Sequence, residues 1–120
     1  MEILPVLLSD SYKQFHWMMY PKGITQLYSN MTPRSFKHLK CDKAVFFGLQ
    51  YYIKEYLINQ WNKNFFNKPL EEVLAEFKRF HKHFSFYDMP TEHIEKLHNL
   101  GYLPIKIKAL PEQRITNERS

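Results

Sequence analysis

The chain has 120 residues, 44% hydrophobic and 17% aromatic, with a net charge of +5; this composition fits one domain with a modest core and argues for a packed globule rather than a disordered chain. A single cysteine, Cys41, excludes an internal disulfide and suits a reducing cytoplasm. The apolar run 3–8 follows the acidic Glu2 and is too short for a signal peptide, and no stretch approaches the roughly 20 apolar residues of a membrane span, so a soluble, cytoplasmic protein with no membrane partner is expected.

The pattern along the chain opens with a helix over residues 11–19, capped by Ser9 or Asp10 and stopped by Pro21, which forces Tyr20 towards an extended conformation. Lys22-Gly23 marks a turn, residues 24–31 read as a strand, and Thr32-Pro33 closes it. Over residues 43–62 the spacing of Val45, Leu49, Tyr52 and Tyr56, with Phe46, Ile53, Leu57 and Gln60 beside them, predicts a long helix buried on more than one side. Gly48 falls inside it and costs a helix roughly 1 kcal/mol relative to Ala, which points to close packing.

A second long helix opens at Asn67-Lys68-Pro69, with proline favoured at the first helical position. Its apolar face is Leu70, Val73, Leu74, Phe77, Phe80 and Phe84; Glu71 and Glu72 at its start and Lys82 and His83 near its end suit the helix dipole. A short helix over 90–100 stops at Gly101. Residues 103–110 then alternate, Ile105, Ile107 and Ala109 against Lys106 and Lys108, as a half-buried strand does. Strands and helices never form a regular βαβ series, so the expected class is α+β, a helix-rich domain with a few short strands.

Chemistry is sparse. Six histidines raise the idea of a metal site, but His81 and His83 lie about 200° apart around a helix, and His93 and His98 also miss a common face. No metal ligand is expected. Glu71-Glu72 reads as a helix start, Glu92 and Glu95 as a solvated face, and the three glycines form no phosphate loop. Spacing alone makes no triad of Ser9, Asp10 and His16.

Four segments taken together are more specific. Ser9-Asp10-Ser11-Tyr12-Lys13 with His16 and Tyr20-Pro21, then Tyr28-Ser29 leading to Arg34, then Phe46-Phe47-Gly48-Leu49-Gln50-Tyr51, and finally the run 103–112 ending in Pro111-Glu112 resemble, in order and spacing, the start of the nicotinamide phosphoribosyltransferase family. The resemblance covers nearly the whole chain, to Glu112. It implies an N-terminal domain over 1–112, a fragment of a larger type II phosphoribosyltransferase fold, cut short because the family runs several times longer. The polar, patternless tail 113–120 departs from the family's glycine and apolar strand and is expected to be non-native or disordered.

The resemblance also implies an activity: nicotinamide and phosphoribosyl diphosphate joined to nicotinamide mononucleotide with release of pyrophosphate, in NAD salvage, by a glycosyltransferase acting as a homodimer. Mg²⁺ and ATP are implied as cofactors of the parent enzyme, with none bound by this fragment alone. Nicotinate phosphoribosyltransferase is the sister reading. Tyr12 matches the family tyrosine that crosses the dimer interface to stack on nicotinamide, Asp10 its neighbour in that pocket, and Arg34 an arginine that helps hold pyrophosphate. Read without the family, Asp10 is a helix cap, Tyr12 a first-turn aromatic and Arg34 a surface charge. No catalytic residue is expected in this chain, since the second stacking aromatic, the aspartate that reads the amide, the histidine on which ATP acts and the phosphate-binding glycines would all lie downstream, and the isolated fragment is expected to be inactive.

The alternatives from other classes are a stand-alone, basic and aromatic-rich binding module, and a subunit-interaction module that pairs with a full-length enzyme. Lysines 13, 37, 40, 43, 54, 78, 82 and 106 are scattered rather than clustered, and the aromatics fall mostly on apolar helix stripes, which argues against a specific nucleic-acid partner. Binding to single-stranded nucleic acid is therefore expected to be weak and salt-sensitive. Filter-binding titration checks this; tight binding that survives about 0.2 M salt and is lost on changing Tyr or Phe would favour the module.

Overall fold

A computed structural model describes residues 2–117. A 3-10 turn, Pro5–Leu7, and a 3-10 helix, Ser11–Met19, lead to strand β1 (Lys43–Val45). A helical rod follows, starting as α1 (Leu49–Tyr51) and continuing with wider π turns through Tyr52–Gln60 and Asn62–Phe66. Helices α2 (Leu70–Ser85) and α3 (Glu92–Leu100) come next, and strand β2 (Ile115–Asn117) closes the series. The molecule is helix-rich with two short strands, and those strands are not the expected ones.

The core is small and drawn from separate stretches of the chain. Leu4, Phe65, Val73, Phe77, Met89 and Ile94 form one buried cluster, with Phe15, Trp17, Trp61, Phe66, Leu74 and Leu97 packed against it. The amphipathic pattern of α2 predicts this: Val73 and Phe77 are buried, and Glu71, Glu72, Lys82 and His83 stand at the dipole ends where they were expected. The outer end of the expected face is not covered, since Phe84 is exposed. Pro69 precedes the helix as its cap instead of occupying its first position. Helix α3 ends as expected, with Gly101 at φ 84° and its amide donating to the Leu97 and His98 carbonyls.

The first helix runs over the expected residues but is wound as 3-10. Asp10 precedes it without a side-chain capping bond, while Lys13 N donates to the Asp10 carbonyl at 3.0 Å. Tyr20 is extended before Pro21, and Gly23 turns the chain at φ 83°.

Three expectations are corrected. Residues 24–31 form no strand: Tyr28 is 93% and Met31 92% exposed, and an extended segment without a partner has nothing to satisfy its ladder groups. Residues 103–110 also form no strand and are exposed except for Leu103. The expected helix over 43–62 begins later and ends later. Its first residues are β1, paired antiparallel with β2 in the register Lys43↔Asn117, Ala44↔Thr116, Val45↔Ile115. Part of the tail read as patternless thus supplies the partner strand; its last residues, 118–120, lie outside the described ones.

Gly48 explains the shift. It sits at φ 97°, a left-handed conformation that stops a helix from starting upstream, and an added Cβ would meet nothing within 4 Å. Its role is conformational freedom, not the close packing inferred from the sequence. The rod beyond it is only half covered: none of residues 49–63 is buried. Every tyrosine but Tyr56 is exposed, as are Phe47, Phe84 and Phe86, so the aromatics are less a core than the stripes suggested.

The Cα radius of gyration is 17.4 Å, against roughly 14 Å for a compact domain of this length. Gly48→Ala is expected to destabilise the chain by about 1–2 kcal/mol, the usual cost of a left-handed Cβ. Urea denaturation measures it, and a neutral substitution would show that the turn relaxes.

Candidate functional site

Asp10, Tyr12 and Lys13 are placed by the way their helix is anchored. Gln14 is buried and its Nε2 donates to the Val6 carbonyl at 2.9 Å and to Ser9 Oγ at 2.6 Å. Phe15 and Trp17 turn into the core's edge. Tyr12 is left pointing outward, 60% exposed.

Around it lies a small polar cluster. Lys13 Nζ donates to Asp10 Oδ2 at 2.8 Å and stands 5.8 Å from the Tyr12 ring centre, while the His16 ring lies 5.5 Å away at 54°. The Lys13 hydrogen bond, and secondly its charge, hold the Asp10 carboxyl below its ordinary value; the same contact raises Lys13. Asp10 is ionised at neutral pH, as an aspartate ordinarily is, and remains an acceptor. Lys13 was not singled out from the sequence, although its i, i+3 spacing from Asp10 is the signal that finds it.

Arg34 is exposed on the irregular stretch before Phe36. The structure joins Asp10 with Tyr12 through Lys13, and no ion pair or ring contact joins Arg34 to them among the described residues.

The inner face of the same helix meets two histidines. Trp17 stacks on His93 of α3 at 4.4 Å and 20°, and Phe15 meets His81 of α2 edge-on at 6.2 Å. His81 is fully buried, with Phe77 at 4.5 Å and Phe80 at 5.5 Å. Both of its ring nitrogens, Nδ1 of His93 and Nε1 of Trp17 are buried without a hydrogen-bond partner. Burial lowers the pKa of His81; burial first, then the charge of His81, lowers that of His93. Sequence reading weighed His81 only against His83 as a metal pair; its place one turn after Phe77 marked it instead as part of the buried face. Among the described residues no three His, Cys, Asp or Glu side chains come together to hold a metal.

Two shallow grooves flank the rod. One, about 280 Å³, lies between it and the 102–107 stretch and is lined by Leu57, Phe66, Tyr102, Leu103 and Ile107 among others. The second, about 200 Å³, lies between Ile3, Pro5 and Leu8 and the rod's Tyr56, Gln60 and Asn64. Neither includes Asp10, Tyr12 or Arg34, so these three side chains stand on open surface. No helix among the described residues is long and apolar enough to cross a membrane.

Glu112 was quoted from the sequence only as part of a motif, and the structure gives it a task. Its carboxylate accepts from Gly48 N at 3.2 Å and from Gln50 N at 2.9 Å, closing the open amide end of the rod from 62 residues away. The amides of Gln50 first, then Gly48, hold its carboxyl below the ordinary value. Phe46 N donates to Arg114 O and Gln113 N to Phe46 O, extending the same seam into the β1–β2 pair.

Residues 5–107 match the family model described as nicotinamide phosphoribosyltransferase, N-terminal domain. The chain is 45% identical, over 123 aligned residues, to a nicotinamide phosphoribosyltransferase of Acinetobacter baylyi; the match covers 98% of this chain and 24% of that protein. The chain thus spans about a quarter of the length of that relative. No solved structure matches it.

The cap makes a testable pH signature. A depressed folded pKa contributes stability above the ordinary glutamate value and loses it as pH falls through the folded one. Glu112→Gln is expected to lower the thermal midpoint at pH 7, with the gap to the parent closing in the acid range. Melting curves from pH 7 to pH 3 check this; a gap unchanged with pH would assign the loss to packing.

Proposed function

The chain belongs to the nicotinamide phosphoribosyltransferase N-terminal domain family, and from that membership we propose that it supplies one wall of a nicotinamide site whose other walls lie on further sequence and on a partner subunit. The observation that carries this reading is Tyr12: an amphipathic ring at the Asp10-Ser11-Tyr12-Lys13 motif, held out on an anchored helix with no enclosing pocket of its own. A ring presented this way suits stacking on a planar amide brought by another surface, at small cost in side-chain entropy.

The reaction would join the pyridine nitrogen of nicotinamide to the ribose carbon of phosphoribosyl diphosphate as pyrophosphate leaves. Tyr12 would fix the plane of the ring. Asp10, ionised at neutral pH and paired with Lys13, would accept a hydrogen bond from the carboxamide N–H. Arg34, free in the described structure to turn towards a partner, offers a guanidinium fork for pyrophosphate. Placing the two reactants together is the main catalytic task in such a transfer.

In the same proposal Mg²⁺ and ATP would be bound by the remainder of the parent enzyme; no step is assigned to either here. The larger type II phosphoribosyltransferase fold, the homodimer and a cytoplasmic location, in keeping with an exposed free Cys41, belong to the same proposal. The 120-residue chain alone would not turn over.

The test is a graft. Residues 1–112 joined to the downstream three-quarters of the Acinetobacter enzyme are expected to form nicotinamide mononucleotide, while the isolated chain forms none. In the graft, Tyr12→Ala should weaken nicotinamide use by about 1–3 kcal/mol, roughly 5- to 150-fold in apparent affinity, by analogy with base stacking. Tyr12→Phe should cost much less, and Arg34→Ala should raise the phosphoribosyl diphosphate requirement instead. Product from the isolated chain, or a graft indifferent to Tyr12→Ala, would overturn the assignment.

A further inference from the structure

We infer that His93, backed by His81, is the positioning pair for the Tyr12 helix: its imidazole must be neutral to hold Trp17, and a proton on the pair releases the helix from α2 and α3. The functional consequence rests on the reading of Tyr12 as a nicotinamide contact; the mechanical one does not.

The Ser11–Met19 helix meets α2 and α3 through Phe15 and Trp17, at the edge of the core. Its hold on the rest of the molecule is a short series of contacts: Gln14 to Val6 and Ser9, Phe15 to His81 and Tyr87, and Trp17 to His93. Two of the three side chains that anchor it therefore rest on imidazoles. Trp17 lies five residues from Tyr12, about 10 Å along a 3-10 helix. A rotation at the Trp17 end is carried to the Tyr12 ring, because a short helix moves as one piece.

The environment of the pair gives the neutral form its advantage. His93 faces Trp17 from the helix and Phe77 and His81 from α2. His81 faces Phe15, Phe77 and Phe80, and it acts electrostatically on His93. Tyr87 and His16 touch Phe15 and Tyr12, not the two imidazoles. No carboxylate contacts either ring among the described residues. An imidazolium at His81 would present two N–H donors with no acceptor, in a site with no exposed surface. At His93 the Trp17 face attracts a cation, but a ring face does not replace the acceptor missing at Nδ1. Protonation of one also repels protonation of the other.

The sign follows from linkage. A histidine whose folded pKa is lowered leaves stability unchanged above its ordinary value of 6.5 and removes it as pH falls below that, because only the released form takes the proton. For one histidine the released population grows about fivefold over the first pH unit below 6.5, and two histidines multiply that effect.

Amide hydrogen exchange on the 120-residue chain tests this without any substrate. After correction for intrinsic rates, protection of residues 11–19 is expected to fall about tenfold or more between pH 6.5 and pH 5.5, ahead of protection in α2. His93→Phe keeps a stacking ring that cannot be charged and should weaken the pH dependence; adding His81→Phe should abolish it, with protection retained at low pH. His93→Ala should lower protection at every pH. As a second measurement, ring-proton NMR titration should place both histidines below 6.5.

A helix unprotected at pH 7.5, protection unchanged with pH in the parent chain, or His93 titrating at or above its ordinary value would each overturn the inference. In the grafted enzyme, His93→Ala should raise the KM for nicotinamide and leave that for phosphoribosyl diphosphate. If exchange responds and KM does not, the positioning pair stands and the nicotinamide reading of Tyr12 fails.

Discussion

Phe77 stands where the ordered parts of the molecule meet. It is buried in the cluster with Leu4, Phe65, Val73, Met89 and Ile94, and its ring also forms the floor beneath His81 and His93. The N-terminal segment, the end of the rod, α2 and α3 are each marginal alone, because short helices in water are barely stable without an apolar face to bury. Packing around this ring turns them into one unit. The Tyr12 helix joins that unit only at its margin, through Phe15 and Trp17, so the candidate site inherits its geometry from the edge of the core.

Much of the apolar surface outside that unit is uncovered. Tyr28, Met31, Phe47, Phe86 and Ile105 are exposed, and the two stretches whose alternation suggested strands have no ladder partners. Exposed apolar area on this scale is the usual sign of a surface that another segment covers. It agrees with a chain that spans 24% of its relative. Asp10, Tyr12 and Arg34 share that open setting, exposed and outside both grooves.

The seam between residues 43–50 and 112–117 works by a different logic from the core. It is polar and depends on long-range hydrogen bonds. Gly48 opens the rod with a left-handed residue, which leaves amides pointing outward, and Glu112 accepts from two of them. A carboxylate from a distant part of the chain does what a neighbouring Ser or Asp does in an ordinary helix cap. The same loop carries β2 onto β1, so one negative charge helps set both the helix start and the strand register.

How much of this was legible in the sequence depends on the range of the interaction. Helices α2 and α3, the Gly101 stop, the Pro21 stop and the Lys22-Gly23 turn were readable, since amphipathic spacing and local backbone preference act over a few residues. The motif around Asp10-Ser11-Tyr12-Lys13 identified the family, because an ordered set of short motifs is a property of the sequence itself. The start of the rod, the pairing of β1 with β2, the cap from Glu112, the burial of His81 and the stacking of His93 on the Tyr12 helix were not readable in the same way. Each joins residues far apart in the chain, and only the packed structure decides which alternating segment finds a ladder partner, which glycine turns left-handed and which histidine loses its water.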